Sequence, residues 1–180
     1  MTVLEVVSFS LKMIGDFNFL QYLQNNGDDN EIYNNDKELL IIAYNQAIQT
    51  AVGFYPLEYT ETLKPTNESI KYSSFKYNPY KIVQVKGDKH AKILPTEILT
   101  DSEISVTYYY SPVVSDFSEN FIFDSTPLNY LTIAFGVLSE FLIYKGRFEE
   151  ATMYVDKFIN ALKNVKITCF SKKLMAREWY

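Results

Sequence analysis

The chain has 180 residues, 47% of them hydrophobic, 16% aromatic and 22% charged, with a formal net charge of −5. That length lies in the single-domain range and can bury a full core, and the composition excludes an intrinsically disordered chain. One Cys excludes an internal disulfide framework and a multi-Cys zinc site, one His argues against a His-rich metal centre, and the acidic balance disfavours a wholesale nucleic-acid binder.

Fifteen Tyr and thirteen Phe stand against six Gly. Aromatic side chains dominate both cores and protein–protein contacts, so the composition favours a folded interaction module over an enzyme. Glu5 comes early and no basic segment precedes the first apolar residues, so no signal peptide is expected. The most apolar stretch, Leu128 to Tyr144, is interrupted by Asn129, Thr132, Ser139 and Glu140 and predicts a buried helix rather than a membrane span. A reducing, cytoplasm-like compartment is expected.

The first region is helical. Val3, Val6, Val7, Ser10 and Ile14 predict a helix over about 2–14, with Gly15 as its stop. The Asn/Asp-rich residues that follow, Asn25 to Asn30 and Asn34 to Asp36, favour turns. Asp36 is the expected N-cap of a helix over about 37–52, with Leu40, Tyr44, Ala47 and Ala51 as its buried stripe.

The pattern then changes to period two over about 55–112. Leu57, Tyr59 and Glu61 alternate with Glu58 and Thr60. Tyr80–Lys86 is a strand closed by the turn signal Gly87-Asp88, with Ala91–Leu94 expected to pair back. Ile104–Tyr110 is the clearest strand, ended by Pro112. Together they predict a small antiparallel sheet or meander.

Helical period returns at about 125. Thr126-Pro127 is a start signal for a helix over about 127–145. Leu128, Leu131, Phe135, Leu138 and Leu142 form its stripe, widened by Ile133, Val137 and Phe141. After Gly146, a helix over about 147–165 carries Phe148, Ala151, Val155, Phe158, Leu162 and Val165 inward. Residues 166–180 lose period and read as an extended tail. The expected fold is therefore α+β, a single domain over 1–165. In it, N-terminal and C-terminal helices pack as a bundle around an inserted antiparallel β region, followed by an extended C-terminal tail.

No residue pattern specifies catalysis. His90 sits in a charged turn, Lys86 to Lys92, and reads as a solvated loop histidine rather than a general base. Cys169 has no neighbouring His and no evident electropositive pocket, so it reads as inert. Asp28-Asp29 and Glu149-Glu150 are adjacent pairs whose side chains diverge, and no EF-hand spacing or Gly-rich phosphate loop occurs. No catalytic residue, cofactor or metal is expected. The segment Tyr144–Ala151 looks like part of a tetratricopeptide unit, but such units require stacked copies and only one is present.

Charge is unevenly placed. Residues 1–50 carry seven acids against Lys12 and Lys37, whereas 163–180 carry five bases against Glu178 alone. A solvated terminus is the plain reading of this basic end. The functional reading is a docking arm for an acidic surface, with Lys172, Lys173 and Arg177 supplying charge and Trp179 and Tyr180 supplying aromatic contact.

Three stretches carry a resemblance: Ala43–Ile48, Ile98–Tyr108, and Leu138–Leu162 with its turn Lys145–Ala151 and Tyr154. In this order the chain resembles the head-to-tail adaptor (connector) proteins of tailed bacteriophages, and is most similar to the tail-tubular or neck-ring adaptors. It departs from them in its Asn/Asp stretch at 24–36 and its many tyrosines. The resemblance implies a virion structural protein of the neck, assembled in the host cytoplasm, that forms a homo-oligomeric ring, commonly of twelve copies. Such a ring sits beneath the portal protein, extends the DNA channel without reading DNA sequence, and attaches the next tail or neck protein. The C-terminal tail would reach the portal, and neither cofactor nor membrane is implied. Two other classes fit the residues less closely: another tail component, such as a tail-completion or fibre-connecting protein, and a cellular ligand-binding or regulatory protein.

Overall fold

The computed structural model describes residues 1–25, 31–123, 126 and 128–175, with the backbone alone for 166–175. The fold is mixed α+β. Helices α1 (Val3–Ile14), α2 (Phe17–Gln24) and α3 (Glu31–Phe54) come first. Six strands follow: β1 (Leu57–Leu63), β2 (Ser69–Lys71), β3 (Pro79–Lys86), β4 (Lys92–Ile93), β5 (Glu97–Leu99) and β6 (Ile104–Tyr110). Helices α4 (Tyr130–Tyr144) and α5 (Phe148–Met175) close the described chain. The expected single domain divides into two compact units: a helical unit from 1–55 and 113–180, and a sheet unit from 56–112 inserted between them in the chain.

The helical unit is organised around α4. Thr132, Ile133, Ala134, Gly136, Val137, Leu138, Ser139, Phe141 and Leu142 are all buried, so α4 is covered on nearly every side. Helix α3 lays Leu40, Tyr44, Ala47 and Ala51 inward, as its spacing predicts. Helix α1 is set by a capping box between Thr2 and Glu5 and buries Val3, Val6, Val7, Ser10 and Leu11. The Ser10 hydroxyl donates to the Val6 carbonyl at 3.1 Å and approaches that of Ala134 on α4 at 3.4 Å.

Packing is tight at Gly136. A Cβ there would lie 2.7 Å from Phe158 Cζ on α5 and 2.9 Å from Ala47 Cβ on α3. Only a residue without a side chain lets both neighbours approach α4 at this level.

Several expected boundaries differ. Asp36 does not cap a helix. It lies inside α3, where its carboxylate accepts two hydrogen bonds from Lys145 Nζ at 2.8 and 3.0 Å. That partner stands 109 positions away, so the cap preference of Asp loses to a tertiary ion pair. Asn34–Asp36, read as turns, lie inside α3, and α2 was not expected; it is started by Asp16, whose Oδ1 accepts from the Phe19 N–H at 3.2 Å. Helix α4 begins at Asn129 rather than at Thr126-Pro127. Asn129 Oδ1 accepts from the Thr132 N–H at 2.8 Å, while the Thr126 hydroxyl is engaged locally by the Leu128 N–H at 3.2 Å.

On α5 the buried face is Ala151, Tyr154, Phe158 and Leu162. Phe148, expected inside, is 64% exposed, because it opens α5 beyond the last turn of α4. Val155, Leu131 and Phe135 are half-buried. Helix α5 also continues through Met175, ten residues past its expected end at 165, in a stretch whose Lys, Leu and Met residues favour helix. Residues 176–180 lie outside the described residues.

The sheet unit holds two three-stranded antiparallel sheets, ordered β1-β6-β3 and β2-β5-β4. Ile104, Val106, Tyr108 and Tyr110 alternate inward along the central strand β6. The segment at Ala91–Leu94 does not return to β3. Its residues Lys92 and Ile93 pair with β5, and β3 pairs with β6 instead. Gly87 makes the exit from β3 with φ of 113°, and a Cβ there would meet the Glu103 carbonyl oxygen at 2.8 Å.

Two substitutions check this packing by thermal or urea unfolding. Gly136→Ala is expected to destabilise by about 1–3 kcal/mol through overpacking against Phe158 and Ala47. Phe158→Ala is expected to cost roughly 3–5 kcal/mol, whereas Phe148→Ala should change stability by less than about 0.5 kcal/mol. Equal losses at Phe158 and Phe148 would contradict the observed face of α5.

Candidate functional site

The residues expected to form a docking arm are only partly placed. Lys172 and Lys173 lie on the helical backbone of α5, with their side chains outside the described set. Arg177, Trp179 and Tyr180 lie outside the described residues altogether. Cys169 likewise has only its backbone described, within α5. His90 is exposed in the loop after β3, where its backbone N–H donates to Asp88 Oδ1 at 2.7 Å. That bond, then one from the Thr100 hydroxyl at 2.7 Å, holds the Asp88 carboxyl below its ordinary range. The loop is thus tied at Asp88. Among the described residues no group of three or more His, Cys, Asp or Glu is arranged to hold a metal ion. Among them, too, no helix is long and apolar enough to cross a membrane.

The sheet unit instead gathers tyrosines into one cluster. Tyr59 on β1 faces Tyr108 on β6 in register. Tyr77, just before β3, stacks on Tyr110 with ring centroids 4.3 Å apart and planes 14° from parallel. Tyr59 meets Tyr77 edge-on at 5.2 Å, and Phe75 meets Tyr108 edge-on at 5.0 Å. These are the offset and edge-to-face geometries that aromatic quadrupoles favour.

Glu61 ties the cluster together. Its Oε1 accepts from the Tyr108 hydroxyl at 2.7 Å and from the Lys76 N–H at 3.1 Å. The Tyr108 oxygen in turn accepts from the Tyr77 N–H at 3.3 Å. Burial and the bond to Glu61 push the Tyr108 phenol well above its ordinary value, so it stays a neutral donor.

At the solvent edge Lys76 Nζ donates to the Tyr59 hydroxyl at 3.3 Å. The same ammonium stands 5.1 Å from the Tyr59 ring centroid and 5.3 Å from that of Tyr77. That hydrogen bond, followed by attraction to both phenols, raises its pKa. Elsewhere on the sheet Lys81 Nζ sits 5.8 Å from the Tyr109 ring, and Tyr80, 52% exposed, packs against the same ring. An open groove of about 300 Å³ beside β3 and β4 includes Tyr72, Tyr80, Ile82, Ile93 and Leu94 in its wall. The chemistry available here is stacking, cation–π contact and hydroxyl hydrogen bonding, which suits protein recognition. The period-two tyrosines of β1 and β6 were the legible signal for it. The parts played by Lys76 and Glu61 were not legible, because they depend on register.

The two units also differ in charge. Residues 1–55 and 113–165 hold fourteen acids against six bases, residues 56–112 hold seven of each, and residues 166–180 hold four bases against one acid. Compared with known protein families and curated proteins, the chain matches no family model and no curated sequence.

Tyr108→Phe should cost about 1–3 kcal/mol, since it removes the donor to Glu61 and leaves the Tyr77 N–H without its acceptor. Stability should also be lost at high pH. The Tyr108 and Tyr44 phenols are both raised above 10.0 in the folded state. The unfolded chain therefore loses these protons first, and stability present below pH 10 falls as pH rises beyond it. Unfolding midpoints that stay level from pH 9 to pH 11 would contradict this.

Proposed function

We propose that this chain is a structural protein of a tailed-bacteriophage virion, a head-to-tail adaptor that forms a ring beneath the portal. The observation that carries the reading is the discontinuous helical unit. The two ends of the chain build one helical body, and a self-contained antiparallel sheet unit is inserted at 56–112. This is the order of parts that the resemblance implies. The tyrosine cluster and the surplus of acids on the helical unit add support, since both suit contacts between proteins.

In this reading the protein is not an enzyme and carries no cofactor. About twelve copies close into a ring, which binds the portal on one side and the next tail or neck protein on the other. The ring prolongs the channel for DNA, and an acidic lining lets the duplex pass because it offers phosphate no counter-charge. The chain would join the neck in the host cytoplasm and stay in the virion.

The test is the mass of the purified protein, alone and mixed with the portal protein of the same particle, measured by mass photometry. A complex of portal with a ring of many copies is the expected result. A chain that remains a monomer in both samples would overturn the reading and favour a ligand-binding or regulatory protein.

A further inference from the structure

One end of the helical unit leaves large apolar side chains in water. Met13 and Ile14, at the end of α1, pack against the cluster that Leu138 and Leu142 of α4 form with Ala151 and Tyr154 of α5. The α1–α2 turn therefore lies beside the α4–α5 turn. Phe17 opens α2 directly after the first of these turns and Phe148 opens α5 directly after the second, so both belong to this end. Phe17 is 62% exposed and Phe148 64% exposed, and Ile143, on the last turn of α4, is 38% exposed. Exposed aromatics gathered in this way mark interaction sites.

The charge around them is acidic. Of the three bases at this end, Lys145 is engaged with Asp36 and Arg147 with Glu150, while Lys12, in the last turn of α1, is exposed and is outnumbered by the acids Asp16, Glu31 and Glu149. Glu31 and Glu149 are exposed in the first turns of α3 and α5, and neither has an ion-pair partner among the described residues. A partner must therefore bring apolar side chains together with positive charge.

One segment of this chain has that chemistry. Residues 166–180 carry Lys166, Lys172, Lys173 and Arg177 against Glu178, interleaved with Phe170, Leu174, Met175, Trp179 and Tyr180. It cannot serve its own molecule. Helix α5 spans 28 residues from Phe148 to Met175, so Met175 stands about 40 Å from Phe148 at 1.5 Å per residue. The five residues from Ala176 to Tyr180 reach at most about 17 Å when fully extended.

We infer that residues 166–180 dock on the apolar, acid-framed end of the helical unit of a second copy, over Phe17 and Phe148 and beside Glu31 and Glu149. This contact is heterologous: each copy offers a basic aromatic end and a distant acidic apolar end. Repeated, it yields rings or filaments rather than closed two-fold dimers. It rests on the proposed ring for its closure, but the contact itself forms without a portal.

The experiment uses two full-length variants and one truncation, each first shown by circular dichroism to melt like the wild type. The socket variant is Phe17→Asp with Phe148→Asp, both at exposed positions. The arm variant lacks 166–180. Should that truncation melt early, Lys172→Glu with Lys173→Glu and Arg177→Glu replaces it. Wild type is expected to form assemblies larger than a dimer by sedimentation velocity, and each variant alone to be a monomer. Mixed, the two variants should form a one-to-one dimer and nothing larger, because one intact arm then meets one intact socket.

An arm variant that assembles like wild type would overturn the inference, as would a mixture that stays monomeric. Loss of portal binding with wild-type self-assembly intact would assign the arm to the portal instead and also overturn it. Wild type that is monomeric alone yet forms rings on the portal would defeat this contact while leaving the proposed function standing. Monomers under both conditions would defeat both.

Discussion

The helical unit depends on one close approach. Gly136 sits midway along α4 with Phe158 of α5 on one side and Ala47 of α3 on the other, both nearer than any Cβ would allow. Three elements from the two ends of the chain converge there, so the packing joins residues before 56 to residues after 112. The Ser139 hydroxyl, buried one turn on, donates to the Gly136 carbonyl at 2.7 Å. Met13 and Ile14 of α1 pack on the cluster that α4 and α5 make, so the α1–α2 turn falls beside the α4–α5 turn.

The sheet unit solves a different problem. Its central strand buries tyrosines at Tyr108 and Tyr110, and each buried phenol needs a partner for its hydroxyl. Glu61 supplies one to Tyr108, and Lys76 covers the open edge of the cluster. Where this solution fails, the cost is visible. In the helical unit the buried hydroxyl of Tyr44 finds no partner among the described residues. A single carboxylate thus decides whether a buried tyrosine is an anchor or a liability.

Much of the fold was legible because period carries burial. The stripes of α1 and α3, the alternation of β6 and the helical hairpin follow from spacing alone. What escaped depended on long-range partners. Asp36 reads as a cap until Lys145 arrives from 109 positions away, and Phe148 reads as core until α4 ends four residues earlier. Helix α2 is only eight residues long, and its one start signal, Asp16, sits next to the Gly15 that stops α1. β4 turned to β5 because two residues of strand have too little pattern to fix a neighbour. Of the candidate site, the charge contrast of residues 166–180 was legible, but the acidic apolar end proposed to receive it was not. That end exists only once α2, α3 and α5 are brought to one place.

The functional account joins a body built from both chain ends, an inserted tyrosine-rich sheet unit and a terminal segment of opposite charge. Each suits a part whose work is contact with copies of itself and with neighbours. The most direct measurement is the position of the chain in intact particles, by electron microscopy of virions carrying a gold-labelled tag on it. The account predicts label at the single tail vertex, between the head and the tail and at the level of the neck. Label spread over the head faces, confined to the distal tail, or absent from purified particles would contradict it.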